Sequence, residues 1–173
     1  MQSLAGARAV NKGKIIVGSN SDVSAGIGIL AESSVADKTS VSSETGAIIE
    51  MPYAGIGIYL DSLELGGSIT NAGTIVSTAA NALGIYAKMS PLGILGVPVT
   101  TITNTGEIKL SDKGYGIFAD NSIIANSGNI AVDDPVSNHI IAIYGGKKSN
   151  ITNTGGNISV GEGGIAFYGD NTK

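Results

Sequence analysis

His139 is the chain's single histidine, so any serine- or imidazole-based chemistry would have to pass through it. Asp133 and Asp134 precede it across Pro135, a grouping that suits weak metal binding. No Gly-x-Ser-x-Gly turn offers a nucleophile. Cysteine is absent, which removes thiolate metal sites and disulfides together. Gly26-Ile27-Gly28, Gly55-Ile56-Gly57 and Gly114-Tyr115-Gly116 lack the third glycine and the following helix of a phosphate loop. Enzymes that cut acidic polysaccharides gather Asp, Arg and Lys on one face. Here Arg8 is the sole arginine and the carboxylates read as scattered through loops. No catalytic residue, metal site or cofactor is expected, and His139 is expected in an exposed loop.

A net charge of −4 with no basic stripe argues against nucleic acid as a partner. No apolar run approaches the roughly 18 residues that cross a bilayer, so direct membrane insertion by this segment is not expected. The opening Met-Gln-Ser-Leu-Ala-Gly lacks the basic and apolar regions of a signal peptide. The natural chain is therefore expected to extend in both directions.

The elements that must position these residues come from an internal repeat. Six polar-x-Gly units run along the chain: Asn11-Lys12-Gly13-Lys14-Ile15, Glu44-Thr45-Gly46-Ala47-Ile48, Asn71-Ala72-Gly73-Thr74-Ile75, Asn104-Thr105-Gly106-Glu107-Ile108, Asn126-Ser127-Gly128-Asn129-Ile130 and Asn153-Thr154-Gly155-Gly156-Asn157-Ile158. Aligned on Gly and Ile, they place Asn in five of six copies of an independent column, and Glu44 is the exception. A second motif falls between copies: Gly28-Ile29-Leu30-Ala31, Gly57-Ile58-Tyr59-Leu60, Gly84-Ile85-Tyr86-Ala87, Gly116-Ile117-Phe118-Ala119, Ala142-Ile143-Tyr144-Gly145 and Ala166-Phe167-Tyr168-Gly169. Its third position takes five aromatics from a total of 6 Tyr and 2 Phe. An Ile-x-Asn segment, as in Ile102-Thr103-Asn104, leads into the next copy.

Successive copies start 33, 27, 33, 22 and 27 residues apart. The 22-residue copy packs three short alternating segments and no helical periodicity. That length is too short for a propeller blade, and the leucine lattice of a leucine-rich repeat is missing. The expected fold is all-β: a right-handed parallel β-helix of three short strands per coil and about six coils, with residues 1–173 as one domain. All four prolines lie outside the three motifs, as ladder pairing requires.

Each column then has an expected physical role. Isoleucines such as Ile15, Ile108, Ile58 and Ile117 point inward. Asn11, Asn71, Asn104, Asn126 and Asn153 form a hydrogen-bonded amide ladder at a tight turn, where Asn tolerates left-handed backbone. Tyr59, Tyr86, Phe118, Tyr144 and Tyr168 stack in a second column. That column is a packing strip shielding the sheet, an outward stripe contacting a partner, or an inward stack. The polar stretch Ala31–Ser43 reads as a solvated loop.

One insertion is apolar where an excursion should be polar. It spans 88–101 and carries Met89, Leu92, Ile94, Leu95 and Val97. Such a loop either folds back over the sheet or contacts another chain.

Together, the Asn-x-Gly-x-Ile, Gly-Ile-Tyr-Ala and Ile-Thr-Asn motifs resemble the passenger repeats of type V autotransporters of Gram-negative bacteria, from Asn11 to Asp170. The resemblance implies a fragment of a longer passenger domain, displayed from the outer membrane at the cell surface or secreted. It further implies a non-enzymatic, virulence-type adhesin scaffold contacting a host or bacterial surface protein or glycan through inter-strand loops and aromatic side chains. A toxin passenger that oligomerises is the alternative, and a polysaccharide-active enzyme a weaker one. End-to-end self-association is expected wherever a cut solenoid end is uncapped.

Overall fold

The computed structural model describes residues 7–18, 25–33, 38–62, 66–89, 100–111, 113–133 and 140–170. These residues form eighteen short strands arranged as six coils. The first coil is β1 (Arg8–Asn11), β2 (Lys14–Ile16) and β3 (Gly26–Ser33). The second is β4 (Thr39–Ser43), β5 (Ile48–Met51) and β6 (Gly55–Ser62), and the third is β7 (Gly67–Asn71), β8 (Thr74–Ser77) and β9 (Leu83–Met89). The fourth is β10 (Thr100–Asn104), β11 (Glu107–Ser111) and β12 (Tyr115–Asp120). The fifth is β13 (Ser122–Asn126), β14 (Asn129–Asp133) and β15 (Ile141–Gly146), and the sixth is β16 (Asn150–Asn153), β17 (Ile158–Val160) and β18 (Ile165–Gly169).

Every strand pairs in parallel with its equivalent one coil on, giving three six-stranded sheets in the orders β1-β4-β7-β10-β13-β16, β2-β5-β8-β11-β14-β17 and β3-β6-β9-β12-β15-β18. The molecule is a right-handed parallel β-helix with three strands per coil. Alternation dictates the core. Ile49, Ile75, Ile108 and Ile130 stack from the second sheet, Ile69, Ile102 and Ile124 from the first, and Ile58, Ile85, Ile117 and Ile143 from the third. These side chains are sealed from solvent, so each contributes about 1.5–3 kcal/mol of apolar burial against its exposed state.

The turn between the first two sheets is tight because backbones nearly touch. A Cβ on Gly106 would collide with the Gly73 carbonyl oxygen, and one on Gly128 with that of Gly106. Glycine lets the third to fifth coils close at that corner, whereas in the second coil, with its longer turn, the buried Ala47 takes the same place.

The structure corrects four expectations. Asn11 pairs with Ser43, and Ser43 with Asn71, so Ser43 and not Glu44 occupies the second coil's place in the polar column. Lys14 pairs with Ile48 and Ile15 with Ile49, which makes Glu44-Thr45-Gly46 a longer turn that mimics the repeat. Gly46 carries the left-handed backbone of that turn, at φ 82°. Second, none of the ladder asparagines is left-handed. They end strands, and positive φ outside glycine falls on Asn81, Lys113, Asn121 and Lys148 among the described residues.

Third, Ala31–Ser43 is not one loop: β3 runs to Ser33 and β4 begins at Thr39, with Val41-Ser42-Ser43 standing in for Ile-x-Asn. Fourth, the apolar insertion is shorter than 88–101, because Lys88 and Met89 end β9 and Thr100 and Thr101 start β10.

A candidate contact surface on the third sheet

The third sheet has an unusual strand. In β12 both Gly116 and Ile117 are buried, while Tyr115 and Phe118 on either side turn outward. The same pattern recurs in β15, where Ala142 and Ile143 are buried between Ile141 and Tyr144. Two consecutive inward residues break the alternation and bend each strand. The sheet's outer face therefore carries two apolar columns, one on each side of the bend.

The first column is the aromatic one. Leu30, Tyr59, Tyr86, Phe118, Tyr144 and Tyr168 lie in register through all six coils. This places the rings outside, excluding the inward stack. Tyr59 and Tyr86 are parallel at 5.0 Å between centroids, as are Phe118 and Tyr144 at 4.3 Å and Tyr144 and Tyr168 at 5.3 Å. Between Tyr86 and Phe118 the planes turn by 74°, dividing the strip into two stacks. Rings stacked along the axis spend their faces on each other and offer solvent their edges and hydroxyls. The four inner rings are half-buried, whereas Tyr168 is 42% exposed.

The second column runs Ile27, Ile56, Leu83, Tyr115, Ile141 and Ile165, again in register. Tyr115 bridges the columns by an edge contact to Phe118 at 5.3 Å.

A third line of residues borders the aromatic strip two positions further along each strand. Glu32 pairs with Asp61 and Asp61 with Lys88, and Asp120 pairs with Gly146. Asp170 follows in the sixth coil, one residue after the Gly145–Gly169 pair. Four of the 14 acidic residues, which read as scattered in the sequence, thus fall into one column beside the rings. Gly146 leaves room for its neighbour: a Cβ there would collide with the Asp120 carboxylate.

Hydroxyls and carboxylates interact across these two lines. The Tyr59 hydroxyl donates to Asp61 Oδ2 at 3.0 Å. Burial, that hydrogen bond and the nearby negative charge push the Tyr59 phenol up to about 12. Tyr86 is raised by burial and then by Asp120 and Asp61, and Tyr144 by burial and then by Asp120 and Asp170. Burial also lifts the Asp120 carboxyl, with Asp170 adding to the effect and Lys147 opposing it.

The other residues singled out by sequence lie elsewhere. Leu92, Ile94, Leu95, Val97, Asp134 and His139 fall outside the described residues, and Met89 is described only as the backbone end of β9. Among the described residues no three metal-ligating side chains cluster.

Inside the corner between the first two sheets, four asparagines form a ladder. Asn71 Nδ2 donates to Asn104 Oδ1 at 2.8 Å, Asn104 Nδ2 to Asn126 Oδ1 at 2.7 Å and Asn126 Nδ2 to Asn153 Oδ1 at 2.7 Å. Asn11 stands apart, donating at 3.5 Å to Ser43 and accepting from the Gly13 amide at 3.1 Å. Asn71, Asn104 and Asn126 are wholly buried, so their role is internal. Outside that corner runs an open groove of about 450 Å³, floored by Gly73, Gly106 and Gly128 and edged by Thr105, Glu107 and Asn129.

Position in the repeat could have revealed the carboxylate line, because it reads as aromatic-x-Asp in Tyr59-Leu60-Asp61, Phe118-Ala119-Asp120 and Tyr168-Gly169-Asp170. No protein family, curated protein or solved structure matches this chain.

Proposed function

We propose that this chain is a non-enzymatic β-helical scaffold from an autotransporter-type passenger, displayed at a bacterial surface or secreted, where it adheres to host or bacterial surface molecules. The observation that carries this reading is the outer face of the third sheet. Its two apolar columns run the length of the solenoid, outside a core already filled by aliphatic side chains. Closing the coils needs no such strip, and a continuous, half-buried apolar band of this kind, exposed at its ends, suits contact with a partner. The repeat motifs and the absence of cysteine fit export in an unfolded state. The irregular excursions between strands supply further contact positions, in keeping with the way rigid scaffolds present loops.

The test is surface display from the full natural gene. External protease should remove the chain from intact Gram-negative cells, and its deletion should reduce adhesion to host cells or neighbouring bacteria. Retention in the cytoplasm, with adhesion unchanged by deletion, would overturn the reading. Ring-shaped oligomers that permeabilise host cells would point to the toxin passenger.

A further inference from the structure

We propose that the outer face of the third sheet binds an extended amino-sugar polymer bearing free amines, laid along the solenoid axis over the aromatic strip. This rests on the adhesive-scaffold reading and names its partner.

Size comes first. The face consists of two columns six residues long. A stable protein partner engages about 20–30 residues a side, so the strip alone is too narrow for one. It is long and thin. Five coil-to-coil steps of about 4.8 Å make it roughly 24 Å long, the shape of a linear polymer's footprint.

Period comes next. One coil rise is close to the length of one pyranose unit in an extended β-linked glycan. Such chains are two-fold ribbons, so a substituent returns to the same side every second sugar. Asp61, Asp120 and Asp170 stand in coils two, four and six, about two coil rises, or roughly 10 Å, apart. An extended peptide repeats its side chains every ~6.8 Å and drifts out of step with these coils.

Chemistry decides the polymer's charge. Glu32, Asp61, Asp120 and Asp170 outnumber the two cations beside them, Lys88 in the same line and Lys147 next to Asp120. This border attracts ammonium groups and repels uronates. The aromatic stacks turn their ring edges outward, and the edge is the positive side of the ring quadrupole. Edges suit the ring and hydroxyl oxygens of a sugar, and the phenols add hydrogen-bonding groups, while carboxylates take the amines. The acidic line alone would accept any cation. Its combination with edge-on aromatics at one-sugar spacing selects an amine-bearing glycan.

Calorimetric titration of the purified full chain tests this, with glucosamine oligomers as probes. A hexamer of glucosamine should bind about tenfold or more tighter than the dimer, because successive sugars meet successive coils. Fully N-acetylated hexamer should bind at least about fivefold more weakly, and added salt should reduce the difference. The combined Asp61→Asn, Asp120→Asn and Asp170→Asn variant, checked for an unchanged β-sheet spectrum, should lose the preference for free amines. Lys88→Gln should tighten binding, so the idea does not hang on one loss of function.

Equal binding of acetylated and free-amine hexamers overturns the proposal, as does equal binding of hexalysine or no gain with oligomer length. If the triple variant still adheres when displayed on cells, the glycan assignment fails while the adhesive scaffold stands. If the native chain is never displayed, the scaffold reading fails whatever the titration shows.

Discussion

Asn104 sits at the centre of the amide ladder, wholly buried, with one hydrogen bond to each neighbouring coil. Asn104→Ala would strand Asn71 Nδ2 and Asn126 Oδ1 inside the protein. Unsatisfied buried groups cost about 1–3 kcal/mol each, so we expect a loss of roughly 2–4 kcal/mol, read as a lower Tm. Thr101→Ala, on an exposed face of the same strand, should barely change it. The opposite effect is expected at Ser43. Asn71 Oδ1 has no hydrogen-bond partner, because the second coil puts a short serine where an amide would reach. Ser43→Asn should complete the ladder and raise the Tm by the equivalent of about 1 kcal/mol; a fall would mean the corner cannot house the larger side chain. Asp120 gives a pH signature. Its folded-state affinity for a proton lies above the ordinary 3.8, so its favourable contribution is present below 3.8 and is lost as pH rises through the raised folded value. Asp120→Asn should therefore raise the Tm at neutral pH, with the gain vanishing in melts run below pH 3.8. The ladder residues were legible in sequence because five asparagines share one column. Ser43 was not, because Glu44-Thr45-Gly46 imitates the repeat one residue later.

At the level of elements, the bend in each third-sheet strand sets the whole candidate surface. Gly116 lets the fifth coil close against that bend in the fourth: a Cβ there would lie 2.6 Å from the Ala142 carbonyl oxygen and 2.7 Å from Ile130 Cγ2. Gly116→Ala should force the fourth and fifth coils apart and cost about 1–3 kcal/mol in urea unfolding. Ala142→Gly, at the equivalent position one coil on, should cost only the roughly 0.5–1 kcal/mol of a strand glycine. If the two substitutions prove equal, close approach is not what selects glycine here. The Gly-Ile-Tyr-Ala spelling made this strand visible and alternation gave the inward Ile, but the facing of the aromatic column stayed open until the coils were stacked. The border of carboxylates was harder to see. Its members are separated by tens of residues and by excursions of differing length, so they look unrelated until the coils are stacked. Position within the motif, rather than distance along the chain, carries that information.

At the scale of the molecule, each coil is supported by the ones before and after it. Among the described residues, the strands of the sixth coil pair on one side. Phe167 takes the place that Ile117 and Ile143 hold in the inward column, yet it is 46% exposed where they are sealed. Ile165 is 40% exposed beside it. A second copy stacking head-to-tail would bury both, and such a contact does not close on itself. Light scattering of the isolated chain should show mass rising with concentration, and Phe167→Asp should hold it monomeric; a mass independent of concentration in the native chain would refute this. The amide ladder adds something the backbone does not. Every bond in it points the same way, from an NH₂ in one coil to a C=O in the next, starting at Asn71 and ending where Asn153 Nδ2 meets the Gly156 carbonyl. Aligned amide dipoles add, as they do along a helix. The solenoid consequently has an electrical direction: a bare negative pole within the third coil at Asn71 Oδ1, and a positive pole quenched by backbone at the sixth. It is a one-way wire, and a coil added in reverse would meet like poles.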